Sequence, residues 1–218
     1  MTDPYARGRG GPHEFRYEDR TAHPASAGPT PSQTSGPFFA YGLVPGAYGY
    51  GTYKDIHPST IDGESVTGEP IVIEGQVLDG AGEPIHDAMV EIVQPDGHGR
   101  FGFEKRNDGF TGYARCGTGA DGPASKGGDT RFRFHTVRPG PPGPAHAPAV
   151  SVVVIMRGLL NHCVTRMYFP EDDHSADPVM RQVPEARRRT LIAEAIGTGR
   201  YRFDIRMQGD GETVFFDV

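Results

Sequence analysis

Three histidines stand where a metal ligand could lie on or beside a strand. His146 belongs to the stretch AHAPAVSVVVIMRG, just ahead of a continuous apolar run, while His135 lies in a predicted strand and His162 precedes Cys163. Imidazole nitrogens bind transition metals, but a stable site needs several ligands at chelating spacing. No such spacing is present, so a solvated loop position for His146 and core or edge positions for the other two are the favoured interpretation.

Composition and charge limit the class of protein. The 218 residues include 31 glycines and 20 prolines, which favours short strands joined by turns over a helical bundle. The net charge of -6, with scattered basic residues, argues against nucleic acid as a partner. No apolar stretch resembles a membrane span or signal peptide, and Cys116 and Cys163 form no paired motif. We expect one cytoplasmic domain with two buried thiols and no membrane partner.

The chain divides into three parts by composition. Residues 1–30 are rich in Gly, Pro, Ala, Ser and Arg without an apolar period, which predicts a disordered N-terminal arm. Residues 31–69 contain aromatic side chains separated by glycines, from Phe38 to Tyr53, which predicts an extended segment that docks on the domain or on a partner chain. Residues 70–218 carry the patterns of a β-sandwich domain.

Seven short strands are predicted in that domain. Ile71 and Ile73 begin the first, and the Asp79-Gly80 turn leads to a second over 88–93, so the two are predicted to form a hairpin. Alternation over 131–134 indicates a half-buried strand, whereas the apolar run 150–156 indicates burial on both faces. Further strands are predicted at 164–169, 200–207 and 213–216. Together they indicate an all-β, antiparallel β-sandwich with long loops.

One short helix is predicted between the later strands. Pro184 suits its first turn, and Gly197 suits its end. Its apolar face is predicted to consist of Leu191, Ile192, Ala195 and Ile196. The adjacent residues 187–189 are all arginine and point in different directions on a helix, so a solvated face is favoured over an anion site.

Several stretches together resemble the intradiol ring-cleaving dioxygenases. These are PSQTSGPFF at 31–39, IEGQVLDGAGEPIHDAMVEIVQPDGHGRF at 73–101, RFHTVRPG at 133–140 and the late segment GETVFFD. The resemblance covers about residues 30–218 and implies a prealbumin-like antiparallel β-sandwich. It further implies the alpha chain of a heteromer that cleaves 3,4-dihydroxybenzoate with dioxygen to 3-carboxy-cis,cis-muconate.

The same resemblance bears on iron. In the family, the iron-binding beta chain holds ferric iron through two tyrosines and two histidines, ligands that suit this ion. At the histidine positions this sequence has Ala149 and Ser151, and at one tyrosine position it has Phe132. Tyr113 is the remaining candidate and aligns poorly. The resemblance therefore implies that this chain has no metal ligands and no catalytic residues, and that the beta subunit holds the iron of the complex.

A chain without iron can still contribute to a site between subunits. The resemblance implies that Thr34, Gly36 and Pro37 of SQTSGP form one wall of the partner's pocket. It also implies that Arg157 of IMRG faces the substrate, and a guanidinium there would suit a carboxylate. The implied partners are an iron-binding beta homologue, a higher oligomer of alpha–beta pairs, a small aromatic substrate and dioxygen.

Alternatives stay open for these residues. The 34–37 stretch could be an ordinary turn, and Arg157 could be a solvated arginine at a strand end. A self-sufficient intradiol dioxygenase that acts on another catechol, with unusual ligands at Tyr113, His135 and His146, is a second hypothesis for the whole chain. A non-enzymatic β-sandwich binding module is a third.

Overall fold

The computed structural model describes residues 34–36, 39–43, 45, 50, 59–61, 66–102, 109–119 and 130–217. In these residues nine strands form two sheets, which confirms the predicted all-β sandwich. The strands are β1 (Pro70–Leu78), β2 (Met89–Val93), β3 (Tyr113–Gly117), β4 (Arg131–Val137), β5 (Ala149–Ile155), β6 (Cys163–Tyr168), β7 (Glu194–Gly197), β8 (Arg200–Arg202) and β9 (Ile205–Arg206). The first sheet has the order β4-β1-β8-β7, with β9 also paired to β1, and the second has the order β3-β2-β5-β6.

The predicted hairpin of the first two strands is wrong, because β1 and β2 belong to different sheets. The turn between them is present. The Asp79 carboxylate accepts hydrogen bonds from the amides of Ala81 and Glu83, each at 2.9 Å. After this turn the chain crosses to the second sheet, where both neighbours of β2 are antiparallel. The turn was therefore predicted correctly, but a turn does not determine which strand β1 pairs with.

The sequence predicted antiparallel sheets, but the first sheet is mixed. β1 pairs antiparallel with β4 but parallel with both β8 and β9. The predicted strand 200–207 is interrupted where the Phe203 amide bonds to the Glu74 carbonyl at 2.8 Å. At this crossing a Cβ on Gly75 would lie 2.0 Å from the Phe203 carbonyl oxygen. Gly75 is therefore required by the close passage of two backbones.

The main core lies between the sheets. Inward side chains of β5 are almost fully buried, with Val150 and Val154 at 0% exposure and Val152 at 3%. The alternate residues Ser151 and Val153 are only half-buried, so the prediction that this strand is buried on both faces is wrong. A smaller apolar cluster contains Ala147, Tyr168, Met180, Val183 and Leu191. It packs beside Ala149, at the start of β5.

The predicted helix begins as expected but ends early. Helix α2 spans Glu185–Arg188 and continues as a 3-10 turn over Arg189–Leu191. Residues 194–197 form β7 instead of the last helical turn, because they pair with β8. The arginines at 187–189 are exposed or half-buried, as the solvated-face interpretation predicts. In the segment predicted to be extended, residues Phe39–Leu43 form helix α1.

Several smaller predictions had mixed outcomes. Strands β3 and β7 were missed, and the predicted strand 213–216 contributes only an isolated bridge between Val164 and Phe216. Both cysteines are free thiols, Cys116 buried as predicted and Cys163 half-buried. Among the described residues, no helix has the length and apolar character needed to cross a membrane. The predicted arm 1–30 and the aromatic residues Phe38 and Tyr53 lie outside the described residues.

Candidate functional site

A tight turn after β5 carries Arg157. The Leu159 amide donates to the Met156 carbonyl at 3.4 Å, which makes Arg157 and Gly158 the central residues of a four-residue turn. Gly158 has a φ of +88°, the left-handed conformation that a type II turn needs at its third position. Glycine adopts this conformation without steric strain. The turn therefore fixes the backbone position from which the Arg157 side chain extends, two residues beyond the end of β5.

Thr34 is bonded to the same turn. The Gly158 amide donates a 2.9 Å hydrogen bond to the Thr34 hydroxyl oxygen, although the two residues are 124 positions apart. The Thr34 hydroxyl in turn donates to the Ser35 carbonyl at 3.4 Å. The structure thus places Thr34 against the turn that carries Arg157. It also gives Thr34 an anchoring contact that sequence reasoning missed.

Gly36 follows Thr34 on the same segment and is exposed. A Cβ placed on Gly36 would meet no atom within 4 Å. The Gly36 carbonyl accepts a hydrogen bond from the Phe39 amide at 3.2 Å, but no described residue lies against the position of that Cβ. A contact of Gly36 with a partner stays a prediction. Pro37, the other predicted wall residue, lies outside the described residues.

Arg157 has an acidic neighbour. Its Nε donates to Oδ2 of Asp87, and the two side chains form an ion pair. The Arg157 side chain is 51% exposed, whereas that of Asp87 is only 18% exposed. This fixed partner distinguishes Arg157 from a freely solvated arginine at a strand end. Sequence reasoning missed Asp87, because only the β2–β5 register reveals that it lies near Arg157.

An open pocket adjoins this turn. It has a volume of about 230 Å³ and is lined by Ser35, Ile155, Met156, Leu159, Leu160, Asn161 and His162. Ser35 and Met156 are the sequence neighbours of Thr34 and Arg157, so the pocket is continuous with the site. Leu160 is 65% exposed, which gives the rim an apolar surface. No motif or periodicity in the sequence predicted this pocket.

The residues at the expected iron positions do not fit iron. Phe132 is 1% exposed within the main core, and its phenyl ring has no donor atom. Ala149 and Ser151 begin β5 and offer a methyl and a hydroxymethyl group. None of these side chains supplies the phenolate or imidazole that ferric iron takes in this chemistry. The fold is therefore present without the expected donor set.

Tyr113 is engaged in a different interaction. Its hydroxyl donates to Glu91 Oε1 at 2.5 Å and accepts from Arg115 Nη2 at 2.9 Å. Burial, together with the hydrogen bond and negative charge of Glu91, raises the pKa of Tyr113 to about 12. To bind a metal as a phenolate, Tyr113 would have to lose its proton despite this raised pKa and beside the negative charge of Glu91. Tyr113 is therefore poorly suited to bind iron.

The alternative ligand set of Tyr113, His135 and His146 is not supported by the contacts. His146 is exposed, with Nδ1 3.9 Å from a carboxylate oxygen of Asp177. His135 lies in the first sheet opposite Val72, whereas Tyr113 lies in the second. Across the described ranges, no group of three or more His, Cys, Asp or Glu side chains could hold a metal ion.

Another pocket, of about 380 Å³, lies at the start of β1. Its lining includes Ile71, His135, Val137 and Arg200. It contains His135, one ligand of the self-sufficient-enzyme hypothesis, but neither Tyr113 nor His146. Thr34, Gly36 and Arg157 do not line it either, so the Arg157 turn stays the best candidate for a functional surface.

The comparisons with known proteins agree with this fold. The model of the family described as Dioxygenase matches residues 35–209. The chain belongs to this dioxygenase family. It is 48% identical over 198 residues to the protocatechuate 3,4-dioxygenase alpha chain of Burkholderia cepacia, covering 87% of this chain and 97% of the relative. The beta chain of that enzyme in the same organism is 32% identical over 182 residues, covering 73% of each chain.

A solved structure supports the same fold. The intradiol ring-cleavage dioxygenase from Tetranychus urticae superposes with a TM-score of 0.55 at 17% sequence identity, covering 82% of this chain and 94% of that one. The family model and the identity to the alpha chain, not this structure, confirm the resemblance to intradiol dioxygenases found in the sequence. Membership of this family argues against the non-enzymatic binding module.

Proposed function

We propose that this chain is the alpha subunit, without iron of its own, of a heteromeric protocatechuate 3,4-dioxygenase. The complex cleaves the bond between the two hydroxyl-bearing carbons of 3,4-dihydroxybenzoate and incorporates both atoms of dioxygen, giving 3-carboxy-cis,cis-muconate. The observation that carries the proposal is the higher identity to the alpha chain than to the beta chain of one organism, 48% against 32%.

Donor chemistry supports the assignment of iron to the partner. Phe132, Ala149 and Ser151 replace three of the four expected ligands, and Tyr113 is bonded to Glu91. A related beta chain with two tyrosines and two histidines would hold the ferric ion. That ion would supply activation of the bound catecholate, which this chain cannot provide.

The contribution of this chain is a wall of the shared pocket. The Arg157 turn and the segment Thr34–Pro37 form that wall, with Arg157 presenting a half-exposed guanidinium to the carboxylate of the substrate. Charge-assisted, paired hydrogen bonds between guanidinium and carboxylate favour this substrate over an unsubstituted catechol. Gly36 and Pro37 complete the wall where the beta subunit is closest.

The proposed complex is a cytoplasmic oligomer of alpha–beta pairs. The free thiols of Cys116 and Cys163 agree with a reducing compartment. The aromatic residues between Phe38 and Tyr53 supply apolar surface for contact with the beta chain.

Expression of this chain alone and together with a beta homologue tests the proposal. Alone, it should bind far less than one iron per chain and should not cleave 3,4-dihydroxybenzoate. The co-purified complex should contain about one iron per alpha–beta pair and cleave the ring. Iron near one per chain, with ring cleavage by the isolated protein, would support the self-sufficient enzyme instead.

A further inference from the structure

Asp87 and Arg157 lie in turns just beyond the end of a strand pair. In the antiparallel ladder of β2 and β5, Met89 lies opposite Ile155 at the end of the pairing. Asp87 precedes Met89 by two residues and Arg157 follows Ile155 by two, so both turns adjoin the same end of the ladder. The ion pair joins these two turns.

The backbone next to Asp87 is held through both polar groups of one residue. The next residue, Ala88, is fully buried. Its amide donates to the Thr118 hydroxyl at 3.1 Å, and its carbonyl accepts from the Thr118 amide at 2.9 Å. Asp87 is also much less exposed than Arg157. The carboxylate is thus the fixed member of the pair, and the long arginine side chain is the member that it orients.

Asp87 occupies one edge of the guanidinium. Its contact is with Nε, and the described part of the chain gives Arg157 no other polar partner. Because a guanidinium is planar, a carboxylate held at Nε sets the plane of the whole group. The amino groups at the far end are then available to a second carboxylate, in the paired geometry that arginine favours.

We propose that Asp87 is a positioning residue that orients Arg157 to bind the carboxylate of the aromatic substrate. This inference rests on the proposed function, since it requires Arg157 to face the substrate. Asp87 also repels that carboxylate, which is the opposing effect. Orientation dominates because Arg157 would otherwise sample many rotamers, whereas the repulsion acts across the guanidinium in an open turn where water and salt screen it.

Steady-state kinetics of the alpha–beta complex test this role. Two substrates are compared, 3,4-dihydroxybenzoate and catechol, which lacks the carboxylate. Asp87→Ala should raise KM for 3,4-dihydroxybenzoate roughly three- to tenfold, the effect of ordering one more flexible side chain on binding. Its kcat and its KM for catechol should stay unchanged.

Three further variants separate orientation from other effects. Asp87→Asn keeps an oxygen acceptor for Nε and should give a KM between those of the native and Asp87→Ala complexes. Combined with Arg157→Ala, which should itself raise KM, Asp87→Ala should have no additional effect. Asp210→Ala removes an exposed turn aspartate and serves as the matched control, with native kinetics expected.

The possible outcomes are distinguishable. An unchanged or lower KM in Asp87→Ala, while Arg157→Ala raises it, would overturn the positioning role and leave the proposed function intact. An equal loss with both substrates would assign Asp87 to the fold alone and would also overturn it. A native complex that cleaves neither substrate would refute the proposed function and this inference together.

Discussion

Asp177 holds the loop that leads into β5, and its substitution tests that role. Its carboxylate side chain is fully buried. It accepts hydrogen bonds from the Tyr168 hydroxyl at 2.9 Å and from the amides of Ala147, Val179 and Met180 at 3.0, 2.9 and 3.0 Å. One side chain thus joins the end of β6 to the residues just before β5.

Asp177→Asn changes this network while preserving its shape. One oxygen can still accept from Tyr168, Val179 and Met180, but an amino group now faces the Ala147 amide. The variant loses the charged acceptor and leaves buried donors without partners, so the free energy of unfolding should fall by about 2–4 kcal/mol. Asp173→Asn is the matched control, because Asp173 is exposed and its partner is the neighbouring residue Ser175, whose amide donates at 2.9 Å. Its effect should be much smaller.

The effect of Asp177→Asn should depend on pH. Burial would by itself raise the pKa of Asp177, but the hydrogen bonds from Met180, Ala147, Tyr168 and Val179 outweigh it and lower this pKa. The carboxylate therefore stabilises the fold above its unfolded pKa of about 3.9, and this contribution is lost as pH falls through the lowered folded value. The stability difference between native chain and variant should narrow between about pH 5 and pH 3.

Urea denaturation of the purified chain measures these differences. Circular dichroism is the suitable signal, because the sequence contains no Trp. Equal stability of the native chain and Asp177→Asn at neutral pH would refute the reasoning. A difference that grows on acidification would refute it equally.

Three further substitutions, one of them with a matched control, give additional tests. Thr34→Val removes the oxygen that accepts from the Gly158 amide, so KM of the complex for 3,4-dihydroxybenzoate should rise about two- to tenfold, and an unchanged KM would contradict the anchoring role. Gly75→Ala places a Cβ 2.0 Å from the Phe203 carbonyl oxygen, so urea denaturation should show a loss of at least about 3 kcal/mol, whereas Gly36→Ala should be neutral. Equal stability of these two variants would exclude the clash. Gly158→Ala forces alanine to a φ of +88° and should cost about 1–2 kcal/mol in the same assay, and a smaller loss would mean that the turn relaxes.

Local pattern predicted much of the fold. The alternation in β4 indicated its buried Phe132 and Phe134, and the turn at Asp79 was placed correctly. The predictions that failed were those that depend on pairing between residues far apart in the sequence. Ala195 has helical spacing from Leu191, but it pairs with Tyr201 in a strand, and no local pattern encodes that partner. The assignment of β1 and β2 to separate sheets failed for the same reason.

The candidate site was only partly predictable. Resemblance supplied Thr34 and Arg157, and the structure brings both to one turn. Asp87 could not be found from the sequence, because it comes close to Arg157 only once β2 and β5 are paired. Residue types alone show that Ala149 and Phe132 offer no donor atom wherever they lie, whereas the assignment of iron to the partner stays a prediction.

The mixed first sheet has a consequence for biosynthesis. β1 leaves the ribosome early, but its parallel neighbours β8 and β9 are made only after all four strands of the second sheet. A nascent chain can therefore form the second sheet while one edge of β1 has not yet gained its hydrogen-bond partners. Until residues 200–206 emerge, that edge is open to wrong pairing, and chaperones would be expected to act on it during this interval.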